Sequence, residues 1–480
     1  MARFTNAWRN VSFEPAAIVA PPTVEALVDL VRRTRAEGGR LKAVGGRHSM
    51  NHILHTEGTI VDVSALSGIR HIDVTERTVT MGAGTRLSDA IVALARVGLH
   101  FPSLGSWHSQ TIAGAIATST HGSSLVHGSL SDIVVGAKMV LLDGTVASFS
   151  GEDETMKAVR CHLGQLGILV EVTLKVVPAF YLACRISTQP MEAALASLLR
   201  RAREHEYVNM LWIPDLDEVY TRILERVDAE RPNGRAAALK AKFVDRSRLS
   251  LRLEDIGFFL VAHAYQIVPR WLSRWYCGKV RDAFFDDDGV VDVSYRQFLY
   301  DKYREPTENH SLRTILNVEY AFDIEAVVPL LTALRTLLAT QRSAGRYLNY
   351  PRVHIRFAAA SGETLVGLNA ERVTAYVGIY VLGSVRGRRQ APLGRAVERE
   401  FLAYGGRPHW GKFSYLAPAL TGLPYRHWDT FAAIRQRLDP DGVFQGEPIF
   451  EDLDTFDSPK IGQMLRSIFD SDEYETIRDF

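Results

Sequence analysis

Cysteine is scarce: Cys161, Cys184 and Cys277 are the three in 480 residues. They are too few and too scattered for a disulfide framework or a cysteine-based zinc site, so a reducing, cytoplasmic setting is expected. Neither sign of charge is in excess. Lys+Arg is 56 against Asp+Glu 55, a net +1, which argues against a nucleic-acid binder, since that partner calls for a basic face. No run approaches the roughly 20 apolar residues that a bilayer-spanning helix needs. The opening MARFTNAWRN lacks the apolar core of a secretory signal. The nearest apolar segment, Gly257 to Trp275, carries His263, Gln266 and Pro269. It reads as core plus amphipathic surface, with peripheral membrane contact as the lesser reading. Internal repeats and low-complexity tracts are also missing. What remains is an ordinary globular composition, 46% hydrophobic and 23% charged, long enough for two or three domains and a substantial core.

The first 180 residues alternate helix and strand signals. Thr23 is placed to cap a helix whose Val24, Leu27, Val28, Leu30 and Val31 follow helical spacing, ended by Gly38-Gly39. Strands are expected at 41–44, 59–63, 78–81 and 168–177, and a second amphipathic helix around Leu87, Ile91, Leu94 and Ala95. Asp143-Gly144 between apolar runs marks a hairpin turn. The fold class is therefore α+β. The expected division is 1–180, 181–415 and a C-terminal segment 416–480, with Pro178 at the first boundary. The charged stretch from Glu225 to Arg248 reads as solvated surface.

Two glycine-bearing loops carry the chemistry, and a third does not. Met81-Gly82-Ala83-Gly84 lacks the third glycine of a dinucleotide fingerprint, Leu87 standing in its place. The informative pair begins with Val44-Gly45-Gly46-Arg47-His48-Ser49, where glycines allow close backbone approach to a phosphate and successive N–H groups can form an anion-binding nest. About 60 residues later comes Leu104 to Ser124, in which only Leu104, Trp107, Ile112 and Ile116 are large and apolar. So long a run of small and hydroxyl residues suits a backbone wrapped around a bulky polar cofactor. His48, His52 and His55 have a spacing that can bind metals, but no carboxylate or cysteine completes a site, and no metal is expected.

These loops resemble those of the FAD-linked oxidases of the vanillyl-alcohol oxidase superfamily, in particular its sugar-1,4-lactone and alditol oxidase branch. The later segments YVNMLWIP (207–214), NVEYAF (317–322), RPHWGK (407–412) and DPDGVF (439–444) agree in order along the chain. The resemblance implies a two-part FAD-binding domain with an α+β cap over the isoalloxazine, and a C-terminal segment packing back near the flavin. It implies FAD attached covalently through His48. The pyrophosphate cradle would be Gly45, Gly46, Arg47 and Ser49 with Thr111, Gly114, Thr118, Ser119, Thr120 and His121; Met50 would also bind the cofactor, and Ile168 would lie near the adenine. Gly105 would leave room for O2 beside the flavin edge, and Ser106 would bond a substrate hydroxyl. Lys412 would stabilise charge developing at the flavin N1–C2 carbonyl, with His409 lining the same site.

The implied activity is oxidation of a CH–OH group in a sugar, lactone, polyol or sugar-containing metabolite, with hydride passing to N5 and O2 becoming H2O2. A dehydrogenase using a cytochrome, quinone or protein acceptor is the alternative. One departure stands out. Where the branch has a glutamate two residues before an arginine, this chain has His354 and Arg356, which strand alternation puts on one face. His354 is then the candidate proton acceptor and Arg356 the group for a developing alkoxide.

Overall fold

A computed structural model describes residues 3–236, 271–275, 277–278, 287–298, 315–348, 350–382, 387–416 and 425–445. The expectations for 237–248 and 257–270 lie outside the described residues.

Local signals set the elements of the first half. Thr23 Oγ1 accepts from the Ala26 N–H at 3.2 Å and opens the helix Val24–Ala36, which buries Leu27 and Val31. Asp143-Gly144 turns the chain between Val134–Val140 and Val146–Ser150, with Gly144 at φ +80°. Two sheets result. A parallel sheet orders Ala17–Val19, Thr59–Asp62 and Leu41–Val44. An antiparallel sheet orders Val146–Ser150, Val134–Val140, Ile168–Lys175, Thr78–Gly82 and Ile69–Asp73. The helix Leu87–Ala95 buries Leu87, Ile91 and Leu94 in one core with Val79, Met81, Met139 and Val172.

An eight-stranded antiparallel sheet dominates the second half. Its order is Val291–Val293, Tyr181–Pro190, Glu218–Val227, Tyr207–Ile213, Tyr350–Ala358, Thr374–Leu382, Ile315–Asp323 and Arg407–Pro408. One face packs on the helices Met191–Glu204, Val327–Ser343 and Gly387–Ala403. With the turn before it, Ile324–Ser343 is long and apolar enough to cross a membrane by length and composition alone, although its sequence holds no unbroken apolar run of that length. Its Leu330, Leu331, Leu334 and Leu338 are buried in the core. On its outer face the Thr332, Thr336, Thr340 and Ser343 hydroxyls bond carbonyls four residues back.

The described C-terminal residues return to the first half. Leu41 N–H donates to Val443 O at 2.8 Å, and Val443 and Phe444 join the cluster of Leu27, Val31 and Val61. Tyr425, Phe431 and Ile434 join the core around Met81.

Candidate active site

The sheet's other face meets the glycine-rich loops of the first half. Register brings polar side chains into line across it. His354 pairs with Gly378 and Arg356 with Tyr376; on the next strand Gly378 pairs with Glu319, Tyr376 with Ala321 and Tyr380 with Asn317. Gly378 matters here, because a Cβ on it would lie 2.9 Å from Asn317 Oδ1 and 3.4 Å from Glu319 Cβ.

Glu319 is the hub, and the sequence reading missed it. Its carboxylate accepts from Arg356 Nη2 at 2.6 Å and from Asn317 Nδ2 at 3.1 Å, while its other oxygen lies 2.9 Å from His121 Nε2. Glu319 is 1% exposed. Burial pushes its carboxyl up, but the Arg356 cation and the His121 contact outweigh that and hold it well below the usual carboxylate range. A charge so buried is stable only when paired, and here every partner is a donor. His121 stacks on Tyr376 at 3.4 Å and 11°. Its Nδ1 lies 2.9 Å from Gly122 O, so both ring nitrogens face acceptors, which a second proton would satisfy. Burial and the neighbouring Arg356 oppose that proton and pull the imidazole down to about 4.

His121, Glu319 and His409 bring potential metal-ligand atoms within 4.8 Å of one another. Glu319 already has the hydrogen bonds described, and His409 Nδ1 accepts from the Gly411 N–H at 3.1 Å.

His354 sits beside this hub. Its Nε2 is 2.5 Å from Asn209 Oδ1 and its Nδ1 3.2 Å from the Tyr380 hydroxyl. Burial first, then the Arg356 and Arg352 cations, hold the imidazole well below its ordinary pKa, so it is neutral. With Nε2–H donating to Asn209, the Nδ1 lone pair receives the Tyr380 hydroxyl. Among the described residues a cleft of about 480 Å³, including its open mouth, is lined by Ser103, Gly105, Ser106, Asn209, Arg222 and Arg356, with Tyr207 and Phe298 on its apolar side. Arg222 is anchored by Nε donating to Asp287 at 2.7 Å.

The other anticipated residues group around the two loops. Gly45 packs so closely on Thr111 that a Cβ would fall on the threonine side chain, and a Cβ on Gly46 would come 2.7 Å from His48 Nδ1. Arg47 (φ +59°) and Ser119 (φ +57°) hold the left-handed conformation that breaks a run of N–H directions into a nest. Thr111 caps Ile112–Ala117, Thr118 Oγ1 donates to Gly114 O at 3.1 Å, and His48 Nε2 is 3.4 Å from Ser109 Oγ. Met50 N–H donates to Gly411 O at 2.9 Å, which ties the first loop to the segment bearing Lys412. The side chain of Lys412 contributes positive charge at Glu319 and His409. Ile168 is buried at the start of its strand, in the cluster with Leu27 and Val443, apart from the Glu319 hub.

The residues fit a bulky polar cofactor lying between loops and sheet. Among the buried polar atoms without a hydrogen-bond partner among the described residues are two on the strands of this sheet, the Tyr376 hydroxyl and Asn317 Oδ1. Burial of that kind is costly unless something supplies the bond.

Comparison with known proteins bears on the same regions. The family model for D-arabinono-1,4-lactone oxidase matches residues 172–451, and that for an FAD binding domain matches residues 15–150. An L-gulono-1,4-lactone dehydrogenase of Mycobacterium tuberculosis is 29% identical, the match covering 90% of this chain and 94% of that one. An L-gulonolactone oxidase of Bos taurus is 26% identical, over 92% and 96%. Among solved structures, a cholesterol oxidase from B. sterolicum superposes with a TM-score of 0.74 at 17% identity, over 92% of this chain and 95% of that one, a likeness of fold.

Proposed function

The chain belongs to the D-arabinono-1,4-lactone oxidase family of FAD-linked enzymes, and from that premise we propose that it oxidises a CH–OH group of a sugar lactone, polyol or related sugar to a carbonyl, with O2 as acceptor and H2O2 as product. The observation that carries the reading is the buried Glu319–Arg356 pair presenting a fixed cation to a cleft bordered by Gly105 and Ser106.

When bound, FAD supplies the hydride acceptor, N5. The protein's residues do the rest. Arg356, held by Glu319, binds the substrate oxygen and stabilises the negative charge that grows on it as the C–H bond breaks. Ser106 orients the same hydroxyl. His354, neutral and engaged at both nitrogens, lies behind the lining of the cleft, holds Asn209 at its wall and bonds Tyr380; its Nδ1 lone pair takes the alcohol proton only once Tyr380 yields it. Two cations beside that ring make it a weaker base than a free histidine, so Arg356 has the larger share. Lys412 places a second positive charge beside His409 and Glu319, suited to an anionic reduced flavin. His48 would hold the flavin covalently, through its 8α carbon.

Oxidase activity is favoured by Gly105. That reading rests on the resemblance at this position; the structure adds that Gly105 borders the cleft and that a Cβ there would lie 3.2 Å from both His121 O and the Thr120 methyl. The mycobacterial relative carries the name of a dehydrogenase, which keeps transfer to another acceptor as the second reading. Anaerobic reduction with a lactone and polyol panel, then mixing with O2, tests both. Reoxidation slower than turnover with an artificial acceptor overturns the oxidase assignment, and no reduction by any alcohol overturns the activity. Cys161 and Cys184, buried as thiols, support a cytoplasmic setting. Trp271 and Trp275, 71% and 55% exposed, are the side chains that would carry a peripheral membrane contact.

A further inference from the structure

The N-terminal segment does something that neither the sheet nor the loops require. Four successive carbonyl oxygens of the His48 loop are taken by donors from residues 6–10. Arg47 O accepts from the Ala7 N–H at 3.0 Å, His48 O from Trp8 Nε1 at 2.7 Å, Ser49 O from Asn6 Nδ2 at 2.8 Å and Met50 O from Asn10 Nδ2 at 2.8 Å. Three of the four donors are side chains chosen for the purpose, since a strand pairing would have used backbone.

The donors are themselves fixed. Asn6 Oδ1 accepts from the N–H groups of Asn10 and Val11, both at 3.1 Å, and Asn6 Nδ2 reaches Asn10 Oδ1 at 2.7 Å. Arg9 at φ +56° closes the turn. Phe4, fully buried with Val44, Ile53, Leu54 and Ile60, anchors one end, and the Trp8 ring meets Trp107 edge-on at 4.8 Å. A trans peptide unit points its C=O and the following N–H in opposite directions, and the described chain has no cis bond. Capturing the carbonyls of 47–50 therefore turns the N–H groups of 48–51 the other way. The Met50 N–H meets Gly411 O.

We propose that Asn6, Trp8 and Asn10 are positioning residues for flavin attachment, a strap that sets the backbone at 47–50 so that the His48 imidazole faces the 8α carbon. This rests on the reading of His48 as the attachment point. In that reaction the bond formed joins an imidazole nitrogen to the 8α carbon, and an 8α C–H and the imidazole N–H break. The two electrons and two protons released end on O2 as H2O2.

The test compares flavin in the acid-precipitated pellet with total flavin for the wild type, Trp8→Phe and Asn10→Ala, as isolated and during aerobic incubation with added FAD. Trp8→Phe keeps a ring against Trp107 and removes only the donor to His48 O. The expected result is a yellow wild-type pellet. For Trp8→Phe, total flavin per chain and Tm should stay near wild type while the covalent share falls to less than half and the remainder couples at least fivefold more slowly. Asn10→Ala should act in the same direction. Covalent shares and coupling rates equal to wild type in both variants would overturn the strap while leaving His48 in place. A white wild-type pellet would overturn the attachment at His48, and the strap proposal with it. A general loosening of the fold would lower Tm and total flavin together, and that pattern in both variants would also overturn the proposal.

Discussion

Replacing Glu319 separates two things that its carboxylate does, balancing the Arg356 charge and shaping its surroundings. Glu319→Ala removes both and leaves a guanidinium almost wholly buried without its counter-charge. Breaking a buried pair in this way costs about 3–5 kcal/mol. Glu319→Gln keeps the shape. The amide oxygen can still accept from Arg356 Nη2 and Asn317 Nδ2, and its NH2 can donate to His121 Nε2 while the His121 Nδ1–H serves Gly122 O. What it loses is the attraction between charges whose atoms are 2.6 Å apart. For charge centres about 4 Å apart at an effective dielectric near 20, that attraction is ~4 kcal/mol. Relief from burying a carboxylate offsets much of the loss. The glutamine variant should therefore be less destabilised than the alanine variant, by ~2 kcal/mol or more in urea unfolding. The chemical step should respond more strongly than stability, because Arg356 acts from a fixed place: a 10- to 100-fold slower flavin reduction corresponds to about 1.4–2.7 kcal/mol. Anaerobic stopped-flow absorbance reads this directly. Equal destabilisation by alanine and glutamine, or an unchanged reduction rate in Glu319→Gln, would refute the assignment of Glu319 as the group that fixes Arg356.

Four further outcomes follow from the same geometry. His354→Ala should keep bound flavin yet lose most of the reduction rate, since Asn209 and Tyr380 both lose their partner; an unchanged rate would remove His354 from the mechanism. Gly105→Ala should slow reoxidation by O2 about tenfold or more with little change in reduction by substrate, and equal loss in both half-reactions would count against an oxygen path at that position. Lys412→Met should lower the reduction rate ~10²-fold, the scale of losing one preorganised charge contact, with flavin content as the control. Glu398 is fully buried, with Tyr320 and the Tyr415 N–H as partners, and burial raises its carboxyl to about 7. A raised acid favours folding while it is protonated, so its contribution is present below the ordinary carboxylate pKa. It declines as pH climbs from about 4.5 to 7, by up to ~3 kcal/mol. Glu398→Gln should flatten that part of the stability curve and melt above wild type at pH 8; a parallel pH dependence in the two proteins would show that Glu398 does not cause it.

The legible part of this protein is the part written in neighbouring residues. Thr23, Asp143-Gly144 and the apolar spacing of Leu87, Ile91 and Leu94 each act within one turn or hairpin, and each yields the element its chemistry favours. The GGRHS loop and the small-residue run 104–124 are legible for the same reason, as is the shared face of His354 and Arg356. Glu319 is not. It occupies one position in a strand with buried Val318 and Tyr320 on either side, and its partners His121 and Arg356 are 198 and 37 residues away. The only available signal is a carboxylate within an apolar strand, NVEYAF. Asn6, Trp8 and Asn10 are hidden differently. Side-chain donors to backbone carbonyls 40 residues on have no periodicity, and polar residues near a terminus look like surface.

The loop at 47–51 is closed from both ends of the polypeptide. Residues 6–10 hold one side of it, while Gly411 takes the Met50 N–H and Trp410 O accepts from Asn51 Nδ2 at 2.7 Å, across 359 positions of chain. During synthesis the first set of bonds can form almost at once and the second only when residues 410 and 411 have been made. Closure of this loop is thus a late event of synthesis, waiting on a segment 359 positions further along.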